Sequence, residues 1–217
     1  TFAVPDPKSM NILEDLNDEQ RGAVEHIEGP VMVLAGAGSG KTRVLTYRVA
    51  HLINLGVDPF SILALTFTNK AAREMKKRIT ALVDNKDARN VWMGTFHSIF
   101  ARILRIEAHR LGFPSHFTIY DTDDSKSLMK SLINEQELDP KIYAPSYVLN
   151  RISQAKINLV TPALYNSDPQ LLLQDKISGR PKTGHLYTMY QNRMVKASAM
   201  DFDDLLLNTY RLLEEYP

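Results

Sequence analysis

The sequence contains no cysteine and no long apolar run, and each absence excludes a class of protein. Without cysteine there are no disulfides and no thiolate metal sites, which fits a reducing compartment such as the cytoplasm. No apolar run approaches the ~20 residues of a membrane-spanning helix. The first 17 residues lack the basic start and apolar stretch of a secretory signal, so none is expected. With 44% hydrophobic and 24% charged residues, the composition is that of a folded globular protein.

A strong net charge is also lacking, but the charge is unevenly distributed. The formal net charge of the 217 residues is +1. Residues 70–110 hold ten Lys or Arg and four Asp or Glu, whereas residues 1–30 hold seven acids and two bases. A basic block of this kind is typical of a solvated helix face or, beside suitable motifs, of a surface that binds nucleic acid.

Strand-like and helical patterns alternate in the first hundred residues. Short apolar runs predict three strands, the first of them buried on both faces, at 31–35, 62–67 and 91–96. Helical spacing of apolar residues predicts three helices, at 41–55, 70–83 and 97–111. Gly56 is the expected cap at the end of the first helix. Alternating β and α elements predict an α/β fold, with a parallel sheet that has helices on both faces.

The pattern changes in the second half of the chain. One strand-like run, Phe117 to Tyr120, precedes a mostly helical stretch over residues 121–198. Thr161 is a predicted N-cap because a proline follows it, and Ser178 to Gly184 is predicted to be a mobile loop. The simplest organisation is a helical subdomain inserted into an α/β domain.

The strongest motif is a glycine-rich run between the first predicted strand and the first predicted long helix. It consists of Ala35, Gly36, Ala37, Gly38, Ser39, Gly40, Lys41 and Thr42. This context is the one that a phosphate-binding P-loop requires. The glycines let backbone N–H groups turn toward a phosphate, Lys41 can reach the β- and γ-phosphates, and the Thr42 hydroxyl can bind Mg²⁺. The strict pattern begins with glycine, but Ala35 ends the strand and need not touch phosphate.

Three further motifs accompany the P-loop. Asn17 followed by Gln20 is typical of a capped helix start, and the Gln20 amide can also donate to and accept from an adenine edge. The segments TFTNKAA (66–72) and GTFHS (94–98) each stand at the carboxyl end of a predicted strand, where parallel sheets bind ligands. The fourth motif is MDFDDLL, at 200–206.

The two strand-end segments carry side chains suited to single-stranded nucleic acid. Phe67 and Phe96 can stack on bases, although an isolated phenylalanine is more often a core residue. His97 either contacts DNA or only occupies the first turn of its helix. The remaining candidates can donate to phosphates or add positive charge, and they are Thr66, Thr68, Asn69, Lys70 and Thr95.

Taken together and in this order, the four motifs resemble the UvrD/Rep/PcrA family of superfamily 1 DNA helicases, from about Leu16 to the end of the chain. The resemblance implies that Gln20 reads adenine, that Lys41, Thr42 and Arg43 serve ATP with Mg²⁺, and that TFTNKAA and TFHS contact single-stranded DNA. It implies a first RecA-like domain over residues 1–110, an inserted helical subdomain over 111–196, and a return to the RecA-like domain over 197–217.

One element that ATP hydrolysis needs in this family does not occur: an apolar strand ending in Asp-Glu. The run Phe117 to Asp121 has no following glutamate, and Ala197 to Asp201 is too weakly apolar for a central strand. The resemblance implies that the true segment, and the second RecA-like domain with its arginine finger, follow Pro217 in a longer chain. We therefore expect these 217 residues to be the N-terminal part of a helicase and inactive by themselves.

Two alternatives remain open besides a helicase that acts on single strands and duplex junctions. The first is a complete small P-loop kinase or ATPase with Asp121 as its Mg²⁺ ligand, which leaves TFTNKAA, TFHS and DFDDLL unexplained. We predict instead that Asp121 is a helix cap and not a metal ligand, because Asp124 stands at the capping-box position. The second is a non-catalytic nucleic-acid-binding module with a vestigial P-loop, against which the intact Lys41 and Thr42 argue.

Overall fold

The computed structural model describes residues 12–83 and 85–216, which form two compact units divided between Ile99 and Phe100. Most of the N-terminal stretch on which the expectation of no secretory signal rests lies outside the described residues. Within the two described ranges, no helix has the length and apolar character needed to cross a membrane.

The first unit combines helices with a two-stranded sheet. Its elements are α1 (Asp18–Glu25), α2 (Lys41–Asn54), β1 (Leu63–Thr66), α3 (Asn69–Leu82), α4 (Asn85–Asn90), β2 (Trp92–Thr95) and the start of α5 (Phe96–Glu107). The strands predicted at 62–67 and 91–96 and the helices predicted at 41–55 and 70–83 are confirmed to within one residue at each end. Gly56 has a φ of +86° directly after the end of α2, as expected for a helix-ending glycine.

Strands β1 and β2 pair in parallel and bring two distant motifs together. Leu63 lies opposite Trp92, and Thr66 lies opposite Thr95. Because paired parallel strands end at the same edge of the sheet, the residues that follow Thr66 and Thr95 are neighbours. The core beneath this sheet comes from α2, α3, α4, β1 and the residues that immediately precede the two strands, and its buried residues are Val49, Ile62, Ala64, Met75, Ile79, Ala88 and Val91.

The strand predicted at 31–35 is wrong. Residues 31–35 form neither strand nor helix, and the side chains of Met32 and Leu34 are 83% and 87% exposed. Val31 and Val33 line a cavity of about 350 Å³ together with Lys41 and Leu45. A strand needs a neighbour for its backbone N–H and C=O groups, and no strand among residues 12–83 and 85–216 pairs with this segment.

The second unit is mostly helical, as predicted. It holds the rest of α5, β3 (Thr118–Ile119), α6 (Thr122–Glu135), α7 (Pro145–Ile157), α8 (Pro162–Ser167), α9 (Pro169–Ile177), α10 (Thr183–Lys196), β4 (Ala199–Met200) and α11 (Phe202–Glu215). The helix predicted at 97–111 is α5 followed by a 3₁₀ turn at Ala108–Leu111. Thr161 caps α8 as predicted, accepting from the N–H of Leu164.

Strand β3 lies within the strand-like run predicted from Phe117 to Tyr120, whereas strand β4 and one loop of this unit differ from expectation. The run 197–201 is too weakly apolar to predict a central strand, yet the buried Ala199 and Met200 form β4 in parallel with β3. The loop predicted at 178–184 ends two residues earlier, because α10 begins at Thr183. Gly184 packs so tightly that an added Cβ would lie 2.5 Å from the side-chain oxygen of Asn166.

Candidate functional site

The P-loop leads into α2 and folds around its own lysine. Lys41 Nζ donates to the carbonyl oxygens of Ala35 at 2.9 Å and Gly36 at 2.7 Å. The Ser39 hydroxyl donates to the Gly36 carbonyl at 2.7 Å, which closes the loop on itself. The lysine ammonium therefore lies at the loop, where the motif predicts it.

Gln20 connects α1 to this loop. Its Nε2 donates to the Ser39 carbonyl at 3.0 Å, and its Oε1 accepts from the N–H of Asn17 at 3.4 Å, which completes the predicted capping box. Gly40 has a φ of +88°, and an added Cβ there would lie 2.7 Å from Gln20 Nε2. The left-handed backbone favours glycine at this position, and an added Cβ would also displace the end of the Gln20 side chain.

Arg43 is held by residues that the sequence patterns did not single out. One guanidinium nitrogen of Arg43 donates to the carbonyl of Asp15 at 2.6 Å, and the group lies over the ring of Tyr47 at 5.2 Å. The Tyr47 hydroxyl donates to the Asp15 carboxylate at 2.9 Å. Burial and the bond to Asp15 raise the pKa of Tyr47. No sequence signal pairs Asp15 with Tyr47, because the two are 32 residues apart.

The start of α2 fits a phosphate group. Its N-cap is Gly40, no side chain caps its first turn, and that turn contains no acid. The N–H groups at a helix start need an acceptor, and the helix dipole favours an anion there. The side chains of Asn17, Thr68 and Asp201 cap α1, α3 and α11, whereas α7 and α10 begin without a side-chain cap, as α2 does.

The two phenylalanines predicted to stack on bases lie together at the carboxyl edge of the β1–β2 sheet. Phe67 follows β1 and is 90% exposed, and its ring centroid is 5.6 Å from that of Phe96, at an interplanar angle of 48°. An apolar ring of this size with so little cover is not a core residue. The core interpretation of Phe67 is therefore wrong, while Phe96 is half-buried beside it.

The polar residues predicted to contact DNA at this edge differ in their exposure and in whether their polar groups already form hydrogen bonds. Asn69 and Lys70 are exposed in the first turn of α3. The Thr68 oxygen caps α3 by accepting from the N–H of Ala71 at 3.1 Å. Thr95 is buried, and its hydroxyl donates to Ser98 Oγ at 3.0 Å, so its proton is used within the turn. His97 is half-buried in the first turn of α5, and Thr66 is half-buried opposite Thr95.

The segment GTFHS begins with a glycine because α5 packs closely against the backbone of β2 at Gly94. An added Cβ at Gly94 would lie 2.6 Å from Ser98 Oγ and 3.0 Å from a side-chain carbon of Ile99. The start of α5 therefore packs directly on the β2 backbone. This close approach fixes the position from which Phe96 projects.

Asp121 is a helix cap, as predicted. Its carboxylate accepts from the N–H groups of Asp123 at 2.8 Å and Asp124 at 2.9 Å, and Asp124 bonds back to the Asp121 N–H at 3.1 Å. The bonds from the Asp124 and Asp123 N–H groups hold the pKa of Asp121 below its usual value. The carboxylate is thus engaged at the start of α6.

We expect Asp121→Asn to leave thermal stability almost unchanged, because asparagine caps about as well as aspartate. Asp121→Ala should lower the melting temperature by about 2–4 °C, since the capping bonds are lost. Circular dichroism measures both effects. Titration of Mg-ATP into wild type and Asp121→Asn provides the control. A large affinity loss in Asp121→Asn would contradict the cap assignment and favour the small-kinase alternative.

The DFDDLL segment contains a buried ion cluster that the sequence analysis missed. Lys156 Nζ lies 2.7 Å from Asp201 Oδ2 and 2.8 Å from Asp204 Oδ1, and the Lys156 residue is only 2% exposed. The Tyr190 hydroxyl donates to Asp201 Oδ2 at 3.0 Å. Asp201 also caps α11 by accepting from the Asp204 N–H at 2.8 Å. The segment therefore joins α7, α10 and α11 within the second unit.

Comparison with known proteins covers almost the whole chain. A family model described as "UvrD/REP helicase N-terminal domain" matches residues 16–217. The "ATP-dependent DNA helicase PcrA" of Leuconostoc citreum is 43% identical over 203 residues, which are 93% of this chain and 26% of that protein.

Two staphylococcal proteins of the same name are similar to the same extent. The PcrA of Staphylococcus aureus strain Mu50 is 44% identical over 207 residues, which are 95% of this chain and 27% of the relative. That of Staphylococcus epidermidis is 44% identical over 210 residues, which are 96% of this chain and 28% of the relative. The chain thus spans about a quarter of the length of the curated relatives that it matches.

Proposed function

The chain belongs to the UvrD/REP helicase N-terminal domain family, and we propose that it forms the ATP- and single-stranded-DNA-binding portion of an ATP-dependent DNA helicase. The helicase couples ATP hydrolysis to translocation along one strand and to opening of the duplex at a junction. The lack of cysteine fits the cytoplasm as the place of this activity.

The observation that carries the proposal is the exposed Phe67 at the carboxyl edge of a parallel sheet, in the same unit as the P-loop. An exposed aromatic ring is a stacking platform for any base, and Phe96 supports it from one side. Asn69 and Lys70 offer an amide and a charge to the adjoining phosphates. Nucleotide and strand then bind to one structural unit, as coupled hydrolysis and movement require.

The nucleotide half of the proposal assigns each P-loop residue a task. The backbone from Ala35 to Gly40 and the open start of α2 receive the phosphates, and Lys41 moves from its loop carbonyls to the β- and γ-phosphates. Thr42, exposed in the first turn of α2, holds Mg²⁺, which neutralises charge on the phosphates when bound. Gln20 reads adenine in exchange for part of its present bonding, and Arg43, in the first turn of α2, also serves the nucleotide.

The domain organisation is part of the same proposal. The first RecA-like domain comprises residues 1–110 and 197–217, with its P-loop sheet covered by helices on both faces, and 111–196 form the inserted helical subdomain. A second RecA-like domain, which belongs to the full helicase and not to these 217 residues, supplies the arginine finger. The family match and the alternating elements of the first unit support this arrangement.

The decisive experiment is single-stranded DNA binding by Phe67→Ala. Stacking contributes about 1–3 kcal/mol per base, so affinity should fall by about 5- to 150-fold. The salt dependence should stay unchanged, because stacking releases no counterions. Fluorescence anisotropy with an oligothymidylate at several salt concentrations measures both quantities.

Phe60→Ala is the matched control for this experiment. Phe60 is 62% exposed in the same unit, but it precedes β1 and therefore lies at the amino end of that strand. Its removal should leave DNA affinity unchanged. Equal losses of single-stranded DNA affinity in Phe67→Ala and Phe60→Ala would contradict a specific stacking site at Phe67.

A further inference from the structure

The solvent face of α3 carries a row of positive side chains. Lys70, Arg73 and Lys77 stand at positions i, i+3 and i+7, a spacing that puts them on one side of a helix. All three are exposed, and Met75 and Ile79 are buried on the opposite side. We call these three residues the α3 stripe.

The α3 stripe carries more positive than negative charge. Glu74, the only acid in α3, bonds to Arg78 at 2.9 Å. Among the described residues, none of the three stripe side chains forms an ion pair with a carboxylate. Glu74 also stands four residues from Lys70 and three from Lys77, so this face carries three bases beside one acid.

Helix stability does not explain this placement. The first turn of α3 contains no acid and includes Lys70, and its last turn contains no base. The helix dipole favours the reverse distribution, with acids at the start and bases at the end. Helices α1, α6 and α11 follow the first half of that rule, with two acids each in the first turn and no base in the last. Lys70 thus stands where the helix dipole disfavours a cation, while Arg73 and Lys77 lie in the interior of α3, where the dipole has little effect.

We infer that the α3 stripe binds the phosphodiester backbone of the single strand that stacks on Phe67, and that the strand continues along α3 beyond the stacked base. The inference rests on the proposed function and extends it from Lys70 to Arg73 and Lys77. Phe67 and Thr68 lead directly into α3, so the stripe begins beside the exposed ring. Seven residues of helix rise by ~10 Å, against ~3.4 Å between phosphates along one strand of B-DNA. The stripe is therefore long enough for more than one phosphate.

The test is the double variant Arg73→Ala/Lys77→Ala in the 217-residue chain, with oligothymidylates of about 4 and about 16 nucleotides. For the longer strand, the plot of log affinity against log salt should become shallower by about 1.4, since each lost contact on a single strand removes about 0.7. The shorter strand, which reaches little beyond Phe67, should lose much less affinity. The melting temperature should stay within about 2 °C of wild type, because both side chains are exposed.

Lys76→Ala/Arg89→Ala is the matched control. It also removes two positive charges, from exposed positions outside the stripe in the same unit. It should leave the slope of log affinity against log salt nearly unchanged. Identical slopes for the two double variants would overturn the inference, while a persisting effect of Phe67→Ala would leave the proposed function intact. Absence of any single-stranded DNA binding by wild type would overturn both.

Discussion

Replacement of Lys156 by methionine is expected to lower the free energy of unfolding by about 3–5 kcal/mol near neutral pH. The side chain has a similar length, so packing is largely kept, but the partly buried carboxylate of Asp201 and the buried carboxylate of Asp204 lose the cation that lies 2.7 Å and 2.8 Å from them. A buried charge without a partner is far more costly than the same charge in an ion pair. Urea unfolding monitored by circular dichroism measures the loss.

The size of this loss should depend on pH in a defined direction. Burial raises the pKa of Asp204 to about 6, although Lys156 acts to lower it. Burial alone would lower the pKa of Lys156, but Asp204 and Asp201 more than offset this and raise it. The lysine therefore contributes stability that is fully present below its unfolded pKa and lost as pH rises through the folded value. Without Lys156, the pKa of Asp204 rises further and the carboxyl becomes neutral in mild acid.

The destabilisation by Lys156→Met should accordingly be smaller near pH 5 than near pH 8. Arg193→Ala is the control, because its ion pair with Glu135 is roughly half exposed and its removal should change stability by at most about 1 kcal/mol. A further variant, Lys156→Met/Asp204→Leu, should recover part of the loss. A Lys156→Met protein as stable as wild type at both pH values would contradict the assignment of a buried ion cluster.

The 217-residue chain should bind ATP and hydrolyse almost none of it. The P-loop is complete, but the sequence contains no apolar strand ending in Asp-Glu, and an arginine finger alone contributes ~10³–10⁵ in rate. We therefore expect turnover lower by at least that factor than in a complete helicase. Phosphate release at saturating Mg-ATP measures the rate, and fluorescent nucleotide titration measures binding.

Lys41→Ala separates true turnover from contamination. Its phosphate release should equal that of wild type, whereas its affinity for nucleotide should be lower, because the ammonium at the loop is gone. Steady turnover by wild type that disappears in Lys41→Ala would show that these residues form a complete active site. That result would favour the small ATPase over part of a helicase.

Local features of this protein were predictable because their causes lie within a few residues. The cap at Asp121 depends on N–H groups two and three residues away, and the capping box of Asn17 and Gln20 has the same range. Apolar spacing predicted α2 and α3 to within one residue, since the period of the helix selects the buried side. The order of four motifs predicted the family, which the match over residues 16–217 confirms.

Other features depended on pairing between distant residues, which no local pattern contains. Residues 31–35 are as apolar as a central strand, yet they stay outside any strand, because ladder bonds require a second strand alongside. The Gln20 amide donates to the carbonyl of Ser39, 19 residues away, and the Thr95 hydroxyl donates to Ser98 within the same turn. The availability of each polar group was therefore decided only by the folded chain.

Lys156 shows most clearly that burial of a charged residue depends on the tertiary structure. In the sequence it stands in the last turn of a helix, where a lysine is ordinarily exposed and favoured by the helix dipole. In the folded protein it is buried, because Asp201, 45 residues later, and the neighbouring Asp204 bring two carboxylates to its ammonium. Helical periodicity and helix capping depend on residues that are close together in the sequence, so both can be predicted from it. The free energy of burying a charge depends on which opposite charges tertiary packing brings within about 3 Å, and that is a property of the fold.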